Sequence, residues 1–217
     1  IILCGGKGRR MRNLSVYPKP LVRISKKPIL KYLIDFFIKK KFNKIILATG
    51  HKSKKVENFV NKNYKIEIKI SNAGNVDVLK RLIKIKPLIY DDFIICYGDT
   101  LANIDLLKLK KRSKKLNLLM TTTLAELRID FGIAEINKNK ITKFIERPTF
   151  NNKNIGFFYC KKELANEFSK SKNWVSFLKK IARNGNMGYF LHKSRELTVN
   201  TPEELSYAKK KIKTLFS

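Results

Sequence analysis

Short Ile-rich runs of strand length alternate along this chain with segments whose apolar residues recur at helical spacing. That alternation is what most restricts the fold. Ile1–Cys4 reads as a short buried strand, Lys44–Ala48 as a second, Lys65–Lys69 as an alternating third and Asp92–Tyr97 as an apolar fourth. Between them, Pro28–Lys41 places Ile29, Leu33, Phe36 and Phe37 on one side of a helix. Ser53–Asn61 reads as a helix with Ser53 as N-cap, and Val76–Ile85 as another. Strands and helices taken in turn predict an α/β fold with a mainly parallel sheet.

The second half continues the pattern with antiparallel pieces added. Ile104–Ser113 is helical and Asn117–Leu124 is a strand. Ile133–Ile136 and Ile141–Ile145 are two strands around a polar turn, and Ile155–Cys160 is another strand. Leu164–Ser169 and Val175–Arg183 read as short helices, Met187–Leu191 as a strand, and Pro202–Leu215 as a terminal helix with Pro202 in its first turn. There is no linker, low-complexity segment or internal repeat, so one domain over residues 1–217 is expected. A chain of 217 residues can bury a core without disulfide or metal staples. With 43% hydrophobic and 30% charged residues it is not a disordered composition. No apolar run approaches the roughly 18–20 residues that a membrane-spanning helix needs. The chain opens Ile1-Ile2-Leu3-Cys4 without Met, so a few leading residues are expected ahead of it.

Chemistry concentrates in Leu3-Cys4-Gly5-Gly6-Lys7-Gly8-Arg9-Arg10-Met11, followed by Pro18-Lys19-Pro20-Leu21-Val22. Three glycines after a buried strand let backbone N–H groups approach a ligand closely and point at anionic oxygens. Arg10 and Lys19 can add fixed positive charge to a polyphosphate. A glycine-rich turn with solvated basic residues would look the same locally, and the downstream Pro-Lys-Pro is what favours the phosphate-binding reading.

Together these motifs resemble the signature of the sugar-phosphate nucleotidyltransferases, usually G-G-x-G-T-R-L followed by P-K-P. The match continues through Ile24 and Lys27-Pro28-Ile29-Leu30. The glucose-1-phosphate cytidylyltransferase branch is most similar. Its Y-G-D resembles Tyr97-Gly98-Asp99, and its F-G-A-x-x-I resembles Phe131-Gly132-Ile133-Ala134-Glu135-Ile136. Its F-x-E-K-P resembles Phe144-Ile145-Glu146-Arg147-Pro148, and its N-G-G-F-F resembles Asn154-Ile155-Gly156-Phe157-Phe158. The resemblance covers nearly the whole chain in the same order. It implies a Rossmann-like, mostly parallel mixed sheet flanked by helices, the nucleotide-diphospho-sugar transferase fold.

The resemblance also implies an activity. A nucleoside triphosphate (NTP) and a sugar 1-phosphate give a nucleotide-sugar and pyrophosphate with the help of Mg²⁺. CTP and glucose 1-phosphate are the favoured pair, and UTP, dTTP and GTP remain open. Leu3, Gly5, Gly6, Gly8, Arg9, Gly74 and Gly98 would line the nucleotide. Arg10 would hold the leaving phosphates, and Lys19 would stabilise charge on the α-phosphate. Asp99 would bind Mg²⁺ at the carboxyl end of a strand, with Asn200 in the position of a second metal ligand. Gly132, Glu146, Arg147 and Asn154 would take the sugar phosphate. Trp174 would shape the sugar side or simply belong to the core. The product would feed surface polysaccharide or a modified-sugar pathway.

Four departures from the pattern stand out. Arg9 replaces the usual Thr. Arg147 replaces Lys, a planar fork for a compact point charge. Asn200 replaces Asp, and an amide brings no charge to a metal. The glycine-rich base loop is reduced to Asn75-Val76-Asp77-Val78-Leu79-Lys80-Arg81, with only Gly74 nearby; the Leu-Lys-Arg anchor survives, and Asp77 is a conceivable replacement ligand. The last two changes motivate a second expectation, a relative that binds nucleotide or nucleotide-sugar with weak or no turnover.

Net charge is +31, from 48 Lys and Arg against 17 Asp and Glu. Such a charge attracts polyanions. The Lys residues are nonetheless scattered along the chain, as AT-rich codons produce them, and neither zinc-finger spacing nor an RNA-recognition aromatic motif is present. No specific nucleic-acid partner is therefore expected. Cys4, Cys96 and Cys160 lie in or beside apolar runs and form no C-x-x-C, which suggests small hydrophobes in a reducing cytoplasm. His51 and His192 are too isolated to suggest a zinc site. The resemblance is compatible with a homo-oligomer.

Overall fold

The structure, a computed structural model, describes residues 1–8, 10–11 and 17–216. Thirteen strands and six α-helices are assigned among them. In chain order the first half runs β1 (Ile2–Leu3), β2 (Arg23–Ile24), β3 (Lys27–Pro28), α1 (Ile29–Lys39), β4 (Ile45–Thr49), α2 (Ser53–Asn63), β5 (Ile68–Asn72), α3 (Val78–Ile85), β6 (Phe93–Tyr97) and β7 (Thr100–Ala102). The second half runs α4 (Leu106–Leu116), β8 (Met120–Arg128), β9 (Ile133–Asn137), β10 (Lys140–Ile145), β11 (Thr149–Cys160), α5 (Trp174–Arg183), β12 (Met187–Leu191), β13 (Glu196–Thr198) and α6 (Pro202–Lys211).

Seven strands form the main sheet, in the order β12-β8-β11-β6-β1-β4-β5. β11 is antiparallel to both its neighbours, and every other neighbouring pair is parallel. The result is the mostly parallel mixed sheet expected from the sequence. β1 sits between β4 and β6, so the chain leaves β1 to one side and returns to its other side. The carboxyl ends of β1 and β6 therefore flank a topological switch point, where open α/β sheets place their ligands.

Side chains alternate between two apolar layers, one on each face of the sheet. Ile94, Cys96, Phe157 and Tyr159 face the layer that also holds α1 and α2 residues; Ile95, Phe158 and Cys160 face the layer built from α3, α5 and the 3-10 segment Lys162–Lys170. All three cysteines are free and buried. Burial pushes each thiol up, Cys96 to about 12, so they behave as the small hydrophobes expected.

Local chemistry moves several boundaries. Ser53, expected as an N-cap, lies inside α2; the cap position is Lys52 in the left-handed region, and the Ser53 hydroxyl bonds the Thr49 hydroxyl at 2.8 Å. The strand expected at Lys65–Lys69 starts three residues later, at Ile68, in parallel register with β4. The terminal helix ends at Lys211 and continues as a 3-10 turn, Ile212–Thr214. The three-residue β7 and β13 pair with each other through Thr100 and Thr198, and β2 pairs with β3. None of these short strands was expected, because two or three residues carry no readable period. β9 and β10 form the expected hairpin, a separate two-stranded sheet with Ile136, Ile141 and Phe144 exposed. Among the described residues, no helix is long and apolar enough to cross a membrane.

Candidate active site

The glycine loop begins where β1 ends, and buried contacts hold it there. Cys4 N–H donates to Ala48 O at 2.9 Å, and His51 N–H donates to Gly5 O at 3.3 Å. The Gly5 carbonyl also accepts from Arg81 Nη2 at 2.9 Å. A Cβ on Gly5 would lie 2.3 Å from Arg81 Nε, so only glycine lets α3 come this close. Arg81 is 5% exposed, and its Nε has no partner. Burial lowers its pKa, with Asp77 and Cys4 opposing. Gly8, at φ +63°, turns the loop against the Lys19 side chain.

β6 delivers the acid. Gly98 N–H donates to Leu3 O at 3.1 Å, and a Cβ on Gly98 would stand 2.5 Å from that oxygen. The two strand ends are thus in backbone contact, and Asp99 follows at once. Val199 N–H donates to Asp99 O at 2.9 Å, which draws the segment before α6 onto the same spot. Thr201 and Glu204 close a capping box at the start of α6, and Glu204 also accepts from Asn200 N–H.

Four expected residues consequently converge from distant parts of the chain. Lys19 sits in the 3-10 turn Lys19–Leu21, framed by Pro18 and Pro20. Its ammonium donates to Asp99 Oδ2 at 2.6 Å and to Asn200 Oδ1 at 2.7 Å. Arg10 Nη2 donates to the same Asn200 oxygen at 3.0 Å. Leu3, Gly6, Gly8 and Gly98 line the cleft with them, together with Val78, Arg81, Tyr97 and Trp174.

The remaining expected residues stand elsewhere. Arg9 lies outside the described residues. Gly74 has φ +70° and its carbonyl approaches Gly50, but it is not in the cleft wall. Gly132, Glu146, Arg147 and Asn154 are likewise absent from that wall. Gly132 and Glu146 are neighbours: a Cβ on Gly132 would be 2.8 Å from Glu146 Oε2. Glu146 and Arg147 form an exposed ion pair at 3.6 Å. Asn154 accepts from Gly156 N–H at 2.8 Å and from Thr122 Oγ1 at 3.2 Å. Gly156 packs against the Tyr97 ring.

Three participants were only partly visible beforehand. Arg81 belongs to the surviving Leu-Lys-Arg anchor, but nothing local announced its bond to Gly5. Trp174 belongs to the core and also lines the cleft: it stacks on Phe177, meets Phe158 edge-on and donates its indole N–H to Tyr97 Oη at 2.9 Å. Asp77 is already engaged. One carboxylate oxygen caps α3 through Leu79 N–H at 2.8 Å and accepts from Trp174 N–H at 2.9 Å, which argues against a free base-reading group. Burial raises the Tyr97 pKa, the Trp174 bond opposes that, and Asp99 adds to it.

The donor set constrains any metal. Among the described residues, no three His, Cys, Asp or Glu side chains converge. Asp99 is the one carboxylate at the cation cluster, and the Asn200 amide oxygen already accepts from two cations. Such a set fits a magnesium ion held jointly by one carboxylate and substrate phosphate oxygens, and not a cage made by protein alone.

Comparison with known proteins bears on the family and the fold. A family model described as nucleotidyl transferase matches residues 1–194. The chain is 27% identical to the "Probable glucose-1-phosphate cytidylyltransferase" of Bacillus subtilis, over 94% of this chain and 92% of that one. It is also 27% identical to the UTP–glucose-1-phosphate uridylyltransferase of Synechocystis, over 68% of this chain but only 44% of that protein's length. Among solved structures, HddC from Yersinia pseudotuberculosis complexed with GMP-PN superposes with a TM-score of 0.75 at 22% identity, covering 97% of each chain.

Proposed function

This chain belongs to the nucleotidyl transferase family, and on that premise we propose that it joins a nucleoside triphosphate to a sugar 1-phosphate, releasing pyrophosphate. The observation that carries the reading is the meeting of Arg10, Lys19, Asp99 and Asn200 at the ends of β1 and β6. Cations gathered around one carboxylate, beside backbone N–H groups of a glycine loop, suit a polyphosphate.

In the reaction, an oxygen of the sugar phosphate attacks the α-phosphorus as the bond to the β-phosphate oxygen breaks in line. Little proton chemistry falls to the protein, so positioning and charge neutralisation dominate. Lys19 turns from Asp99 to the α-phosphate, where it stabilises the equatorial oxygens. Arg10 holds the departing pyrophosphate. Gly5, Gly6 and Gly8 give the nucleotide close backbone approach beside Leu3 and Gly98, with Arg81 fixing the loop from behind. Asp99 would hold Mg²⁺ together with phosphate oxygens, and the ion would supply further neutralisation of phosphate charge. Trp174 and Tyr97 border the sugar side. Gly132, Glu146, Arg147 and Asn154, which lie outside the cleft wall, would receive the sugar phosphate.

CTP with glucose 1-phosphate is the leading pair, supported by the likeness to the cytidylyltransferase over nearly both full lengths. The uridylyltransferase among the relatives keeps UTP in view. We place the reaction in the cytoplasm, in one domain, feeding polysaccharide or modified-sugar synthesis, a reading compatible with a homo-oligomer.

The test is pyrophosphate release with Mg²⁺ and glucose 1-phosphate, offering CTP, UTP, dTTP, GTP and ATP in parallel. Release with one nucleotide supports the reading and identifies the base. Silence with all five, and with heptose, mannose and glucosamine 1-phosphates, would overturn it. A thermal-shift response to nucleotide in that case would support a binding-only relative, which Asn200 in place of an acid already favours as the second reading.

A further inference from the structure

Asn200 is the least expected member of the cation cluster, and its contacts differ from those of a metal ligand. Its Oδ1 accepts from Lys19 Nζ at 2.7 Å and from Arg10 Nη2 at 3.0 Å. An amide oxygen has two lone pairs, and both are used. The backbone behind it is held by Glu204 and by the Val199–Asp99 bond, so this acceptor is fixed. The two donors come from separate segments, 190 and 181 residues away in sequence. Through that one oxygen the Arg10 guanidinium and the Lys19 ammonium are brought together.

We propose that Asn200 is a positioning residue that seats Arg10 and Lys19 side by side through a neutral oxygen, so that both pass readily to an incoming polyphosphate before any divalent metal is held. The proposal rests on the nucleotidyltransferase reading. Lys19, Arg10 and Arg81 against Asp99 leave an excess positive charge facing the cleft; an acid at position 200 would reduce it. A carboxylate there would also hold each cation by full Coulomb attraction as well as by hydrogen bonding. The neutral amide orders the cations and releases them at lower cost. Meanwhile the Asp99 carboxylate is matched by Lys19 at 2.6 Å. It becomes available to a metal only once the ammonium has left for phosphate.

Calorimetric titration at 150 mM salt tests this directly on the whole chain, with CTP, UTP, dTTP and GTP added in turn in EDTA. Wild-type protein is expected to bind one of them at one-to-one stoichiometry without divalent metal. The isosteric Asn200→Asp variant should lose at least tenfold in that metal-free affinity. Asn200→Ala, which removes the acceptor but adds no negative charge, should lose less affinity than Asn200→Asp, which separates charge from mere packing. Equal or tighter metal-free binding by Asn200→Asp, or Mn²⁺ binding by nucleotide-free wild type, overturns the proposal. Triphosphate binding by wild type only when Mn²⁺ is present sinks it while leaving the functional reading intact. No binding of any triphosphate under either condition defeats both.

Discussion

Lys19 and Asp99, 80 residues apart in sequence, form an ion pair at 2.6 Å in which both side chains are largely buried at the floor of the cleft. Pro18 and Pro20 restrict the backbone on one side of that contact, and the Gly98–Leu3 bond restricts it on the other. In the proposed reaction each partner has a use beyond the other, the ammonium toward phosphate and the carboxylate toward metal. Lys19→Ala and Asp99→Ala should therefore each reduce pyrophosphate release by about 10²-fold or more, the range seen when one preorganised charge-stabilising group is removed. Far-UV circular dichroism should remain that of the wild type. Near-normal turnover in either variant would place the chemistry elsewhere.

Gly5 and Gly6 are adjacent but should respond oppositely. A Cβ on Gly5 would drive into the buried Arg81 guanidinium, whereas a Cβ on Gly6 meets nothing within 4 Å. Gly5→Ala is expected to destabilise the fold by about 1–3 kcal/mol, as overpacking usually does. Gly6→Ala should stay within about 0.5 kcal/mol of wild type, yet weaken nucleotide binding, because Gly6 lines the cleft. Urea unfolding beside a nucleotide titration measures both. An unchanged midpoint for Gly5→Ala would mean that Arg81 does not brace the loop.

Trp174 is the one tryptophan of the chain, and it lies in the cleft wall with its indole N–H on Tyr97. Intrinsic fluorescence should accordingly change on titration with glucose 1-phosphate in the presence of nucleotide. Trp174→Phe keeps a ring against Phe177 but leaves the Tyr97 hydroxyl without its donor. It should raise the KM for the sugar phosphate severalfold and lower stability by about 1 kcal/mol. A KM unchanged from wild type would return Trp174 to a purely packing role.

His192 is buried, and its Nε2 lies 3.3 Å from the Arg195 carbonyl. Burial lowers its pKa below the ordinary 6.5, with Arg195 and Glu196 opposing. The unfolded chain then binds more protons than the folded one as pH falls below about 6.5. Stability should be fully present above that value and decline as pH drops through the lowered folded value. His192→Gln should flatten this part of the profile of unfolding midpoint against pH. An identical slope in the variant would assign the acid loss to other groups.

The glycine loop, Pro-Lys-Pro and Tyr-Gly-Asp were readable because each states a local requirement. Gly8 must turn at positive φ, Gly5 must admit a side chain at contact distance, and Asp99 must follow a buried strand. Long apolar runs showed equally well, and β12 falls at Met187–Leu191 as expected. Ser53 misled because a serine before an apolar run is a general capping signal; here its hydroxyl satisfied Thr49 instead. β7 and β13 escaped notice because each is stabilised by the other, across nearly a hundred residues.

By itself, then, the sequence determined the alternation of elements, the mostly parallel sheet and the glycine loop that follows β1. Those follow from periodicity and backbone sterics, which act over a few residues. Tertiary structure alone decided that Arg81 braces Gly5, that Asp77 is consumed by capping and by Trp174, and that Asn200 gathers Arg10 and Lys19. Side-chain hydrogen bonds depend on which groups the sheet order brings within 3 Å. That order is set by burial of the whole apolar set and not by any segment that contributes a partner.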